Sequence, residues 1–289
     1  MSKGIASVIG LGLIGGSIAQ CLRASDAYTE VVGYDADPGT LTKALELGVI
    51  DRAASSETEA IARASLVVLA TPPRVTEAQL PALLQDLPAD VVLTDVASVK
   101  HSIVTVAGSA ANFVAGHPIA GSERSGVEAA RADLFDNHRV IVTPSTTTSS
   151  AALAAVIAMW ESAGAEVIAM DAATHDAILA ATSHLPHMLA YALVDALSKS
   201  ALSEDIFRFA AGGFRDFTRI ASSDPVMWRD VALANREELL GAIDTFSSHL
   251  AALRSAIEAS DAEALEQCFD DARQVRESFV ARQSARAAR

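Results

Sequence analysis

Four groups of residues in this 289-residue chain have the types and spacing to do chemistry. The first is Ser7-Val8-Ile9-Gly10-Leu11-Gly12-Leu13-Ile14-Gly15-Gly16-Ser17, a GxGxxG run that holds a pyrophosphate when it follows a strand and opens a helix. In that setting Gly10 makes the tight turn, Gly12 lets the backbone approach the phosphates and Gly15 lets the helix pack on the strand. Leu13 and Ile14 then open a helix whose N-terminus offers free N–H groups and partial positive charge. Asp35 falls 20 positions past Gly15 (35 − 15), where a carboxylate suits ribose hydroxyls. It would repel the 2′-phosphate of NADP, and Ala36, Asp37 and Pro38 bring no arginine to receive one, so NAD is expected over NADP. Arg52 and Arg74 are the cations that would have to fold back to reverse this preference.

The second group is expected at the carboxyl ends of strands, where open parallel sheets bind ligands. It comprises Thr71-Pro72-Pro73, then Ser98 and Lys100, then His117-Pro118, a set of hydroxyl, ammonium and imidazole groups. His117 is the best acid–base candidate, because an imidazole of ordinary pKa about 6.5 accepts a proton from a hydroxyl as hydride leaves the same carbon. Its alternative is a loop histidine bonded to backbone. Ser98 either orients that hydroxyl or caps the next helix. The third group, His184 and His187, is three apart on one helix face, a metal-compatible spacing without matching cysteines, so a polar lining and no metal is expected. The fourth is Gly212–Arg219, in which Arg215 and Arg219 follow a glycine break and could clamp a carboxylate or form an inter-helix salt bridge.

The elements that must position these groups change character along the chain. Short β-branched runs at 6–9, 30–34, 66–70, 91–95, 112–115, 139–142 and 166–170 alternate with helical patterns, which predicts a Rossmann-type, doubly wound parallel sheet over residues 1–171. Serines at 145–150 make good N-caps for the apolar helix 151–160. From 172 to 289 long helical stretches (172–197, 227–259 and 262–281) predict an all-α second domain. The helix at 177–197 is so apolar that it must be buried on most faces, in a monomer core or against a second subunit.

Composition excludes several classes. Hydrophobic residues make up 51% and charged residues 20%, which is incompatible with a disordered chain. Lys+Arg 22 against Asp+Glu 36 gives a net charge of −14, so neither nucleic acid nor an anionic membrane surface is an expected partner. Cys21 and Cys268 stand far apart without metal spacing, which suits a reducing cytoplasm. Residues 5–22 form an uncharged apolar run resembling a signal peptide or short span, but Gly10, Gly12, Gly15 and Gly16 would weaken one continuous helix.

Taken together, GLGLIGGS at 10–17, DVASVK at 95–100, GHPIAGSERSGVE at 116–128, TSHLPH at 182–187 and GGFRDFTRIA at 212–221 resemble the prephenate/arogenate dehydrogenase family of tyrosine biosynthesis. The resemblance spans nearly the whole chain. It implies NAD-dependent oxidative decarboxylation of prephenate and/or arogenate to 4-hydroxyphenylpyruvate and/or tyrosine. It also implies His117 as the base for the ring hydroxyl, Ser98 as its partner, and Arg219 as a carboxylate anchor. Ser122, Glu123, Ser183, His184, His187, Gly212 and Arg215 would line or gate the pocket, with Trp228 nearby. Family members commonly dimerise through the helical domain, which favours a homodimer, and the chain leaves no room for a fused chorismate mutase or ACT module.

Two other readings remain open on sequence grounds. One is another two-domain dehydrogenase, of the β-hydroxyacid or imine reductase type. Those enzymes use a helical-domain lysine, yet only Lys199 follows Lys100 here, without the surrounding pattern. The other is a non-catalytic NAD-sensing module, which needs no acid–base residue.

Overall fold

The computed structural model describes residues 4–121 and 124–287, so Ser122 and Glu123 of the anticipated pocket lie outside the described residues. Among the described residues, β1 (Gly4–Ile9), β2 (Tyr28–Tyr34), β3 (Arg52–Ala53), β4 (Leu66–Leu69), β5 (Val92–Asp95), β6 (Phe113–Pro118), β7 (Arg139–Thr143) and β8 (Glu166–Ala169) form one sheet. Its order is β3-β2-β1-β4-β5-β6-β7-β8. The strands through β6 run parallel in the doubly wound arrangement anticipated from the alternating pattern. The two-residue β3 carries no readable periodicity and went unanticipated.

The parallel expectation needs one correction. β7 pairs antiparallel with β6, through Ala115↔Thr143 to Pro118↔Val140, and β8 then runs parallel to β7. A parallel return needs a crossover of roughly a dozen residues, usually helical. The described part of the β6–β7 connection holds only a 3₁₀ turn at Val127–Ala129.

Helices α1 (Leu13–Ala24), α2 (Pro38–Glu46), α3 (Glu57–Ile61), α4 (Pro73–Asp86), α5 (His101–Ala107) and α6 (Ser150–Ser162) connect the strands. Ser149 caps α6 by accepting from the Ala152 amide at 3.1 Å, as the serine-rich approach suggested. Strand side chains alternate between two cores: Val8, Val68 and Val114 face one, while Ile9, Leu69, Leu93 and Ala115 face the other. The apolar run 5–22 is broken into β1, a glycine turn and α1, so it is not one helix.

The helical region contains α7 (Ala172–Leu179), α8 (Leu185–Ser198), α9 (Ser203–Phe209), α10 (Gly212–Thr218), α11 (Pro225–Ala234), α12 (Arg236–Glu258) and α13 (Ala262–Ala287). Between α7 and α8 the backbone widens into a π turn at Ala180–His184. Pro186 follows it, and a proline lacks the N–H that an α-helical bond to residue 182 would use. The single helix anticipated over 227–259 is instead two, broken at Asn235 (φ −108, ψ 39). The run Ala172–Ser198 is long and apolar enough to cross a bilayer by length and composition. It nonetheless buries His175 and Asp176. Its anticipated burial on most faces is not met within one chain, because Ala190 is the buried residue of α8.

Compactness divides the chain into Met1–Leu239 and Leu240–Arg289. The first unit includes α11, whose Trp228 and Val231 join the core of Ile9, Leu93 and Val99. The second carries exposed apolar side chains, among them Leu250, Ile257, Phe269 and Val275.

The glycine loop separates two kinds of small-residue requirement. Gly10 has φ +91, and a Cβ on Gly15 would meet the Gly10 carbonyl oxygen at 1.8 Å. A Cβ on Gly12 would meet nothing within 4 Å. Gly15→Ala is therefore expected to lower unfolding free energy by about 1–3 kcal/mol in urea titrations. Gly12→Ala should leave stability within about 0.5 kcal/mol but weaken dinucleotide affinity by intruding where phosphates approach.

Candidate active site

The centre of the site is the place where β6 leaves its parallel neighbour. The β5–β6 ladder stops at Thr94↔Val114, and side chains then take over from backbone pairing. Gly116 donates its N–H to Asp95 Oδ1 at 3.1 Å, and its carbonyl accepts from Lys100 Nζ at 2.6 Å. Asp95 and Lys100 are themselves ion-paired, both with no exposed surface, and the Ala97 amide donates to Asp95 Oδ2 at 2.9 Å. Gly116 is thus gripped at both of its polar groups, one residue before His117. Lys100, anticipated as an ammonium beside the cofactor, is consumed by this pair instead.

His117 stands within β6, opposite Ile141, rather than in a loop after the strand. The strand is prolonged by its antiparallel pairing with β7, yet His117 remains beyond the last parallel rung, at the sheet's carboxyl edge. Its Nδ1 lies 2.9 Å from His175 Nε2, with ring centroids 5.1 Å apart. His175 Nδ1 in turn lies 2.7 Å from Asp176 Oδ1. Burial first, then unfavourable electrostatic interaction with the neighbouring His175, Lys100 and His184, hold His117 well below the ordinary imidazole value, so it is a neutral base at pH 7. The backbone-bonded alternative for His117 is replaced by this imidazole partner.

Asp176 has a second task. Its carboxylate oxygens accept from the Lys100 and His101 amides, each at 2.8 Å, and so cap α5 from the helical region. Burial opposes its ionisation, but the bonds from His175 and from those two amides hold it below the usual carboxylate range. Because Asp176 occupies the N-terminus of α5, Ser98 is not its cap; Ser98 sits half-buried in the bend between β5 and α5.

The helical wall carries the remaining groups. His184 is buried, with Nδ1 3.0 Å from Asn235 Nδ2, and burial lowers its pKa to about 4. Its Nε2 and the Trp228 Nε1 are buried without a hydrogen-bond partner in the protein. His187 Nδ1 lies 2.9 Å from the Ser183 carbonyl oxygen; a carbonyl only accepts, so Nδ1 carries hydrogen and donates. Its ring stacks on Trp228 with centroids 3.5 Å apart. These contacts commit both histidines to side chains and backbone of the wall.

Arg219 is exposed on a 3₁₀ turn, Arg219–Ser222, that packs on α8. Tyr191 of α8 donates its hydroxyl to the Ser223 carbonyl at 2.6 Å and fastens that turn to the helix bearing His187. Arg215 is exposed and lies 3.7 Å from the neighbouring Asp216, while Gly212 opens α10 with unfilled space around it.

The cofactor end lies at the glycine loop. Asp35 Oδ2 accepts the Leu11 amide at 2.8 Å and Oδ1 accepts the Asp37 amide at 2.9 Å, which fixes the carboxylate while leaving lone pairs for ribose hydroxyls. Leu13 and Ile14 begin α1, whose N-cap Gly12 has no side chain to accept from its first amides. Thr71 is bonded through Oγ1 to Thr76 and Gln79, and Pro72 precedes the first turn of α4. This arrangement fits a dinucleotide: an open glycine, uncapped amides and a fixed acid.

Comparison with known proteins agrees. Residues 18–169 match the model for the prephenate dehydrogenase nucleotide-binding domain, and residues 171–271 match that for the prephenate dehydrogenase dimerization domain. The chain belongs to the prephenate dehydrogenase family. It is 38% identical to the prephenate dehydrogenase of Bacillus subtilis over 95% of this chain and 76% of that protein. It is 37% identical to the cyclohexadienyl dehydrogenase of Zymomonas mobilis, over 93% and 94% of the two chains. A structure of A. aeolicus prephenate dehydrogenase with hydroxyphenyl propionate and NAD+ superposes with TM-score 0.90 at 36% identity, covering 96% and 99%. As a member of this family the protein is an NAD-dependent dehydrogenase, not a sensing module.

The residues that sequence reasoning missed are His175, Asp176 and Asn235. The available signal was a His-Asp pair inside an otherwise apolar helix, where ionisable groups are rarely buried without partners. The Asp95–Lys100 pair predicts its own sensitivity: Lys100→Met leaves a buried carboxylate uncompensated. It should cost about 3–5 kcal/mol in urea unfolding, whereas a loss below about 1 kcal/mol would show that the pair does not hold β6.

Proposed function

We propose that this enzyme oxidises and decarboxylates prephenate, arogenate or both, with His117 as the base and Arg219 as a carboxylate anchor. The observation that carries this reading is the neutral His117 imidazole, fixed at the carboxyl edge of the sheet that also presents the glycine loop. When bound, NAD supplies the acceptor for the hydride that leaves the ring carbon bearing the hydroxyl. The protein has to receive the hydroxyl proton, orient the ring and hold the side-chain carboxylate. His117 Nε2 accepts the proton, with Ser98 placed after β5 to hold the same hydroxyl. Departure of the ring carboxylate as carbon dioxide aromatises the ring and makes the step irreversible.

Charge supports the assignment of the anchor. Either substrate carries two carboxylates and a net negative charge, and the chain carries −14, so a local cation is needed to draw it in. Lys100 is neutralised by Asp95, and His117 and His184 are held neutral by burial. Arg219, with Arg215 nearby in sequence, supplies guanidinium suited to bidentate carboxylate binding. Ser183, His184, His187, Gly212 and Trp228 complete the wall. In this reading residues 1–171 hold the cofactor, and residues 172–289 hold substrate and pair two copies. The partly uncovered apolar surface of α8 and exposed Phe209 and Leu250 support a homodimer. The acidic charge and free cysteines suit the cytoplasm.

The test is NADH formation with prephenate and arogenate supplied separately, each with NAD and NADP. Turnover of neither substrate would overturn the reading. His117→Ala should lower kcat by about 10²–10⁴-fold with KM little changed. Arg219→Ala should raise KM by about tenfold or more, and an unaltered KM would remove it from the site. Because the base works unprotonated, kcat/KM should be full at neutral pH and fall on acidification with a midpoint below 6.5. A midpoint above 7 would assign the limb to another group.

A further inference from the structure

His117 and His184 are both neutral, and each has one ring nitrogen already committed. The direction of those commitments follows from Asp176. Its ionised carboxylate can only accept, so His175 Nδ1, 2.7 Å away, carries the hydrogen between them. With its hydrogen placed on Nδ1, His175 offers Nε2 as an acceptor. His117 Nδ1 lies 2.9 Å from that nitrogen and therefore carries hydrogen, which leaves His117 Nε2 as the basic nitrogen.

A second path starts from the same residue. Asn235 Nδ2 lies 2.9 Å from the Asp176 carbonyl oxygen and 3.0 Å from His184 Nδ1. A carbonyl oxygen only accepts, so the amide nitrogen faces both partners and donates to each. His184 Nδ1 is then an acceptor, and its Nε2, buried and unpartnered in the protein, carries hydrogen. The break between α11 and α12 at Asn235 is what frees this side chain to reach both groups.

We propose that Asp176, acting through His175 and Asn235, sets His117 and His184 in opposite tautomers, so that the site presents one basic nitrogen and one N–H donor. The inference rests on the base reading of His117 and extends it to three positioning residues outside the substrate wall. A ring hydroxyl that loses its proton needs an acceptor for that proton, and its oxygen gains charge as it does so. A fixed acceptor at His117 Nε2 meets the first need without reorganisation of solvent, and the unpartnered N–H at His184 Nε2 is the donor that the helical wall holds for the second. Water favours no such complementary pair; the hydrogen bonds behind the rings impose it.

The experiment is nitrogen NMR of histidine-labelled full-length enzyme near pH 8, where protonated and unprotonated ring nitrogens are resolved. His117 should show hydrogen on Nδ1 and a bare Nε2, and His184 the reverse. His175→Phe keeps volume but removes the acceptor: His117 should lose its single tautomer, and kcat should fall about tenfold or more with KM within about twofold. His175→Gln, whose side-chain carbonyl accepts from His117 Nδ1–H, should restore both readouts. Hydrogen on His117 Nε2 in the wild type, or equal impairment by Phe and Gln, would overturn the proposal. So would His175→Phe with wild-type tautomer and turnover. The nitrogen signals are read without turnover, so the assigned tautomers together with an unimpaired His117→Ala enzyme would sink the base reading and leave the tautomer assignment standing.

Discussion

The buried Asp95–Lys100 pair is the constraint on which the rest of the site depends. A parallel sheet supplies backbone partners only while its strands stay in register, and β6 abandons β5 after Val114 to pair with β7. The polar groups of Gly116 would be orphaned at that fork, at a cost of about 1–3 kcal/mol for each unsatisfied group. Asp95 and Lys100 take them, and each charge answers the other, which is the condition under which buried ions persist. Gly116 must also be small: a Cβ there would lie 3.0 Å from the Asp95 carbonyl and 3.4 Å from Thr94 Oγ1. The result is a strand end that can reverse neighbours without losing its hydrogen bonds, and that holds His117 at a fixed position on the sheet's carboxyl edge.

Asp176 ties this strand end to the helical region. By capping α5 it fixes the segment that carries Lys100, and through His175 it fixes the ring that follows Gly116. One carboxylate therefore connects the two sides of His117. Its low pKa is consistent with both tasks, because a protonated Asp176 would lose acceptors needed by two backbone amides and one imidazole.

Much of the framework was legible in the sequence because its signals are local. β-branched runs, the glycine fingerprint and Asp35 each lie within one βαβ unit, and the structure places them as the spacing required. The reversal at β7 was not legible, since nothing in 139–142 distinguishes a parallel from an antiparallel edge. Lys100 read as a free cation because the sequence shows its partner five residues earlier but not their common burial. His175 and Asn235 escaped for a different reason: their partners are 58, 59 and 51 positions away, and no motif spans such distances. Their helices looked merely apolar, and the π turn and the break at Asn235 that aim the side chains depend on tertiary context.

Charge placement then explains why a strongly acidic enzyme can handle an anionic substrate with so few cations in its core. The interior cation is already cancelled, and burial keeps two imidazoles neutral, so the sheet's edge offers hydrogen bonding rather than net charge. Guanidinium groups are displaced to the exposed turn around Arg215 and Arg219, where keeping a charge costs little desolvation. The division has a chemical consequence. A cation held beside the reacting ring would stabilise the carboxylate before it leaves more than the transition state in which its charge is departing, and so would raise the barrier. With the proposed assignment, neutral groups at the hydroxyl and guanidinium at the side-chain carboxylate would avoid that penalty while still supplying the affinity the substrate needs.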